Sequence, residues 1–269
     1  MKLLEFFATH RIFRIEELSC LGRQSSTIYN LLAYHQKKGH ILRIRRGLYY
    51  VVYKGIQAEI CPVNVFLVAA KLADDAILAY RTALDFFGIL HFITNAFIYL
   101  SKRKESESFL FQGVDYSAVS FPKALQVAEQ THFEVIEVSR ENQKILVTSL
   151  ERTLVDVLDR PHLCGSWEDI WRSLEKIEYL DFEKIISYVL LLKNATTAAK
   201  VGFFLESHSD FWTVPNACLS ELQKHIPKRP HYLQRDRKDA HKLLKRWNLI
   251  VPTQIINRAW EEPGMDVIW

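Results

Sequence analysis

Residues 24–52, QSSTIYNLLAYHQKKGHILRIRRGLYYVV, decide how the chain is read. Ser25 or Ser26 can cap a helix, because a serine oxygen accepts from the free amides of a first turn. Ile28, Leu31 and Leu32 follow at i, i+3 and i+4 and belong to a core-facing stripe. The opposite stripe is Thr27, Asn30, Tyr34 and Lys37, side chains of the kind that read a major groove and hold phosphates. Gly39 stops the helix after Lys37-Lys38. A hairpin follows over Ile41 to Val52. Arg43 and Arg45 alternate with Leu42 and Ile44, the chain turns at Arg46-Gly47, and Leu48-Tyr49-Tyr50-Val51 returns. Three arginines at a hairpin tip repel one another unless phosphates neutralise them. A winged helix-turn-helix presents its recognition helix and wing to DNA in this order.

The preceding residues complete that pattern. Leu3, Leu4, Phe6 and Phe7 lie at helical spacing, and Ile12, Phe13 and Ile15 lead into a short second helix over Glu16 to Leu21, stopped at Gly22. The residues expected to meet DNA are Arg23, Gln24, Ser25, Ser26, Thr27, Asn30, Tyr34, Lys37, Lys38, Arg43, Arg45, Arg46 and Gly47. The blander reading is a small α/β module with a solvated basic face. The coincidence of a serine cap, a polar stripe and a basic wing favours DNA.

Charge distribution supports the same end of the chain. Residues 1–54 hold ten Lys/Arg and three Asp/Glu, whereas the remainder holds 25 and 28. The total of +4 is too small to argue for a nucleic-acid partner, but all of the excess sits on one module. With 49% hydrophobic and 25% charged residues, the composition is that of an ordered globular protein. Cys20, Cys61, Cys164 and Cys218 are far apart, which suits free thiols in a reducing compartment. The N-terminus lacks a secretory pattern and the longest apolar run, Val63 to Ala70, is too short to span a bilayer, so the cytoplasm is the expected location and no membrane partner is expected.

The chain is expected to be α+β, with a winged helix-turn-helix over residues 1–56 and a larger mixed C-terminal domain over 61–269. Gly55 to Ile60 reads as a linker, and Pro62 is placed to open a helix. Helices at 63–72 and 80–87 precede a small, mostly antiparallel sheet with strands near 97–100, 109–111, 118–121, 133–138 and 144–148. A helical half follows, with segments at 150–158, 167–177, 182–193 and 196–206, two of them capped by Ser149 and Asp181. The stretch 228–246, KRPHYLQRDRKDAHKLLKR, is a candidate second basic surface for phosphates or RNA, through Lys228, Arg229, Arg235, Arg237, Lys238, Lys242, Lys245 and Arg246. An exposed loop-helix segment without a ligand is the commoner explanation of such a run.

Three further motifs carry a family resemblance: AYRTALDFFGI (79–89), VTSLERTLVDVLDRPHLCG (147–165) and RWNLIVP (246–252). Following a winged helix in this order, they resemble the AbiEi family, the antitoxin and transcriptional-regulator components of abortive-infection systems. Arg152 and Asp156 fit the family's Glu-Arg-Thr-Leu-x-Asp pattern. Arg81-Thr82 departs from the Ser/His-like pair usual in the first motif, and Gly165 stands alone where two glycines are common. The resemblance implies that the N-terminal domain binds promoter inverted repeats, two copies meeting on the DNA, and represses its own operon. It also implies that the C-terminal domain counters a nucleotidyltransferase-like toxin without a stable complex.

Independently of that resemblance, Arg152 and Asp156 stand at i and i+4 and can pair along one face of a helix whose other face is apolar. Asp156 with Asp159 is weak as a metal pair. The sequence has no P-loop, G-x-S-x-G, H-E-x-x-H or paired Cys/His set, so no catalytic residue, metal or cofactor is assigned. The competing classes are a DNA-tethered nuclease or nucleotide-processing enzyme, and a one-component regulator that senses a small ligand.

Overall fold

The computed structural model describes residues 3–22, 25–90, 96–102, 108–234, 240–258 and 260. Leu3, Phe6 and Phe7 share the buried face of α1 (Leu3–Thr9). They meet Phe13 of β1 (Ile12–Arg14), Leu18 of a 3-10 helix (Ile15–Leu21), and Ile28 and Leu32 of α2 (Ser25–Lys37). Ile41 of β2 (Ile41–Arg45) with Tyr49 and Val51 of β3 (Leu48–Val51) closes this core. Burying each large side chain contributes about 1.5–3 kcal/mol. The strand order β1-β3-β2 is antiparallel throughout, and central β3 is buried at every position. Helix, strand, short helix, long helix and hairpin make the expected winged helix-turn-helix.

The second helix is 3-10 rather than α, ended by Gly22 at φ +63°. α2 already includes Ser25, so Ser25 and Ser26 are its first residues.

By its internal contacts the chain divides into two units. The first joins residues 1–82, 94–120 and 135–148, so the winged module and a six-stranded sheet belong together across the stretch read as a linker. α3 (Val65–Lys71) is capped by Asn64, whose Oδ1 accepts from Phe66 and Leu67; Asn64, not Pro62, sets its start. β4 (Ile77–Leu78) lies at the middle of the sheet. The N-terminal two residues of α4 (Arg81–Phe86) also belong here, and Ile98 N–H donates to Thr82 Oγ1 at 2.6 Å.

The remaining strands are β5 (Ala96–Leu100), β6 (Phe109–Phe111), β7 (Val114–Val119), β8 (Val135–Arg140) and β9 (Gln143–Thr148). Their order is β6-β7-β5-β4-β9-β8, with β5–β7 and β4–β9 parallel and the other three pairs antiparallel. The β8–β9 turn places Glu141 and Asn142 at φ +50° and +59°, the two left-handed positions of a tight twisted hairpin.

The second unit holds residues 83–93, 121–134 and 149–269, most of α4, and α5 (Lys123–Val127). α6 (Leu150–Asp159) is its central helix, capped by Ser149 Oγ accepting from Arg152 N at 3.2 Å and buried from Arg152 through Leu158. It packs on α8 (Phe182–Leu192), capped by Asp181, and on α9 (Ala195–Ser207); α7 (Trp167–Leu174) precedes them with a Ser166–Asp169 capping box. α10 (Ser209–Trp212) and α11 (Asn216–Gln223) lead to a three-stranded sheet of β10 (His231–Tyr232), β11 (His241–Leu244) and β12 (Leu249–Pro252), which α12 (Thr253–Ile256) follows. The loop-helix reading of 228–246 gives way to this sheet, in which β10 runs parallel to β12 and β11 antiparallel. No helix of the described residues is long and apolar enough to cross a membrane.

Candidate nucleic-acid interface

α2 buries a narrow arc. Ile28, Leu32 and His35 face the core and Leu31 is half-buried. Its opposite side presents Ser26, Thr27, Asn30, Tyr34 and Lys37, all exposed, and Lys38 beyond its end lies with its ammonium 5.9 Å from the Tyr34 ring centre. Tyr29 and Gln36, which the stripe read from sequence left out, are exposed beside them, Tyr29 at 56%. Their signal was available, because a helix with so narrow a buried arc leaves more than half its circumference to a partner. Arg23, Gln24 and the Ser25 side chain lie outside what is described.

The end of α2 is locked. Gly39, at φ +71°, donates to Gln36 O at 3.0 Å, and His40 N–H donates to His35 O at 3.0 Å. These are the two bonds of a Schellman stop. The imidazole Nδ1 atoms of His35 and His40 also stand 3.0 Å apart. Burial, with His40 adding to it, lowers the His35 pKa below the usual histidine value.

The wing departs from simple alternation. Arg43 pairs with Tyr49 and Arg45 with Leu48, so Ile44 is a bulge, and both Ile41 and Ile44 point inward. Gly47, at φ +80°, makes the turn, and its carbonyl accepts from Ile15 N at 2.8 Å, fixing the wing to the second helix. Arg43 and Arg46 are exposed. Arg45 is not splayed outward with them: its guanidinium donates to the Leu72 carbonyl and lies 5.9 Å from the Phe109 ring centre.

Other cations of the basic end also turn inward. Arg14 donates to Lys71 O at 2.7 and 2.8 Å and pairs with Asp74, while Lys71 pairs with Glu17 at 2.9 Å. Burial, then Arg45, pulls the Arg14 pKa down, with Glu17 and Glu16 opposing. Arg11 meets Glu141 at 3.3 Å; Tyr53 and Asn64 donate to the same carboxylate at 3.2 and 2.7 Å. The local charge therefore splits into an internal set, Arg11, Arg14 and Arg45, and an outward set, Lys37, Lys38, Arg43 and Arg46. The outward set frames a hydrogen-bonding helix face, the arrangement that neutralises phosphates on either side of a groove.

Residues 1–52 match the model of a family described as the AbiEi antitoxin, a transcriptional regulator. The winged-helix segment is thus the part of the chain that is similar to the AbiEi family. Over nearly its whole length it also resembles the RV2827C protein from Mycobacterium tuberculosis. That crystal structure matches with a TM-score of 0.64 at 14% sequence identity, covering 96% of this chain and 94% of that one. At that identity the likeness shows a shared fold. No curated protein sequence matches the chain. The AbiEi match ends at Val52, where the wing ends, so it covers the helix and hairpin just described and none of the later motifs.

The Glu-Arg-Thr-Leu-x-Asp segment is an internal ion pair. Arg152 Nε donates to Asp156 Oδ2 at 3.3 Å with both side chains essentially inaccessible, 0% and 1%. Arg152 Nη1 also donates to the carbonyls of Thr131 and Phe133 at 3.0 and 2.6 Å, and Tyr188 donates to Asp156 Oδ1 at 2.5 Å. Burial pushes the Asp156 carboxyl up, opposed by Arg152 and Tyr188. Asp159 is taken by Asn194 and Thr197. Neither carboxylate faces a shared metal position, and the described residues hold no group of three or more His, Cys, Asp or Glu suited to a metal ion. Cys61, Cys164 and Cys218 are buried, and burial pushes the Cys218 thiol up to about 11.

Proposed function

We propose that this protein is an AbiEi-type antitoxin and autorepressor of a toxin–antitoxin operon, acting in the cytoplasm without enzymatic activity. Two copies bind inverted repeats in the promoter, each laying α2 in a major groove and the Arg43–Arg46 wing along the backbone. Residues 61–269 carry the activity that counters a nucleotidyltransferase-like toxin. The observation that supports this best is the exposed face from Thr27 to Lys37, framed by Arg43 and Arg46, within the stretch that matches the AbiEi model.

Two measurements test it. Asn30→Ala should cost about 1–3 kcal/mol on the operator and little on random duplex; equal losses on both would remove Asn30 from base reading. Co-expression with the downstream toxin should give survival with the full chain and none with residues 1–60. Rescue by the short fragment, or failure of the full chain, would overturn the division of labour.

A further inference from the structure

Residues 55–223 carry 15 Lys/Arg and 23 Asp/Glu, a net of −8, whereas residues 224–258 carry ten and two, a net of +8. The sign of the charge reverses where the chain enters its last sheet. There Tyr232 of β10 is paired with Ile250 of β12, and Ile250 with Leu243 of β11. Residues directly opposite in a ladder share a face, so these three form one rung across the sheet. His241, two positions before Leu243, lies on the same face, and its ring meets Tyr232 edge-on at 5.6 Å and 86°. The alternate positions of β12, Leu249 and Val251, are wholly buried, whereas Tyr232 is 49% and Leu243 43% exposed. The rung therefore faces solvent.

Cations surround it. Lys228 and Arg229 precede β10 and Lys245 follows β11; all three are exposed and none is paired with a carboxylate among the described residues, while Lys242, opposite Val251, belongs to the other face. Arg246 is different: it is held by Glu206 and lies 5.5 Å from the Trp247 ring centre. Arg235, Arg237 and Lys238 lie outside the described residues. His241 Nε2 makes no hydrogen bond among the described residues.

A solvated cation run needs no ring at its centre, and an apolar docking face needs no cations around it. The two together match a strand whose bases are unstacked and whose phosphates lie close by, because every base offers a π-face to an aromatic ring. A duplex offers no free base face, and unpaired bases in a cell are presented chiefly by RNA loops and ends. We propose that the outward face of the β10–β12–β11 sheet binds single-stranded RNA. Tyr232, with His241 edge-on against it, stacks an unpaired base, and Lys228, Arg229 and Lys245 hold the flanking phosphates. This surface uses none of the winged-helix residues and does not depend on the promoter-binding reading.

The test uses the full-length chain and a fluorescent single-stranded RNA of mixed sequence, with DNA of the same sequence and a duplex beside it. Tyr232→Ala should weaken RNA binding about tenfold, from the loss of one stacked base. Lys228→Glu with Lys245→Glu should weaken it at least as much. Both variants should keep the wild-type melting temperature and promoter affinity, and Arg43→Ala with Arg46→Ala should keep RNA binding. Four outcomes would each overturn the proposal: wild-type chain that does not bind the RNA; binding that follows the wing variant; binding insensitive to Tyr232; or single-stranded DNA bound as tightly as RNA.

Discussion

Arg152→Met is the most informative single change outside the DNA-facing module. It removes the only cation on the buried Asp156 carboxylate among the described residues and the donor to the Thr131 and Phe133 carbonyls, leaving Asp156 with Tyr188. Breaking a buried ion pair by deleting one partner costs about 3–5 kcal/mol. For a chain of this size that is a fall in Tm on the order of 10 °C. The loss should also depend on pH. The native pKa of Asp156 already lies above its ordinary value because of burial, and losing Arg152 raises it further. A carboxyl that binds its proton more tightly in the native state favours folding most below about pH 4, and this contribution is lost as pH rises through the native pKa. The variant should therefore fall further behind wild type from pH 4 towards neutrality. Adding Asp156→Leu should restore part of the stability, since an apolar pair replaces an orphaned charge. Urea denaturation followed by circular dichroism at several pH values measures this. A loss below about 1 kcal/mol, or one that does not change with pH, would show that Arg152 does not neutralise Asp156.

Three other outcomes follow from the geometry. A Cβ on Gly202 would stand 2.0 Å from the Trp247 ring, so Gly202→Ala should destabilise by about 1–3 kcal/mol or more; a neutral effect in thermal melts would mean that Trp247 does not pack there. His35 has a lowered native pKa, so the unfolded chain binds its proton more readily and stability should drop as pH falls through about 6.5. His35→Leu should flatten that drop between pH 7 and 5, and identical pH profiles would refute it. Arg45→Ala should change promoter affinity less than Arg46→Ala, because Arg45 holds the Leu72 carbonyl; equal losses in a gel-shift series would place Arg45 on the DNA after all.

The winged module was legible because its signals are local. The i, i+3, i+4 spacing of Ile28, Leu31 and Leu32, the Gly39 stop and the Arg46-Gly47 turn each act within a few residues. Arg45 was not legible, because its partners lie at Leu72 and Phe109, and the bulge at Ile44 changes its direction only once β3 is paired. The same holds for the sheet. β5 and β9 are apolar enough to stand out, but two-residue β4 sits between them and is defined only by its neighbours. Tight turns at Gln112-Gly113 and Glu141-Asn142 lack the strongest hairpin pairs, Asn-Gly and Asp-Gly, and so sharpened no boundary. In the 228–246 stretch, charge masked the alternation, and a basic loop became a sheet once β12 supplied its centre. The pairing of Arg152 with Asp156 was legible from i, i+4 spacing; its complete burial was not, since Thr131, Phe133 and Tyr188 arrive from elsewhere in the chain.

The central claim is that the polar face of α2 and the tip of the wing meet DNA. Its most direct test is the affinity of the full-length chain for its upstream promoter duplex across a salt series, for wild type and for Arg43→Ala with Arg46→Ala. Two lost phosphate contacts should lower the slope of log affinity against log salt by about 1.8 and weaken binding on specific and random duplex alike. An unchanged slope with unchanged affinity would contradict the interface.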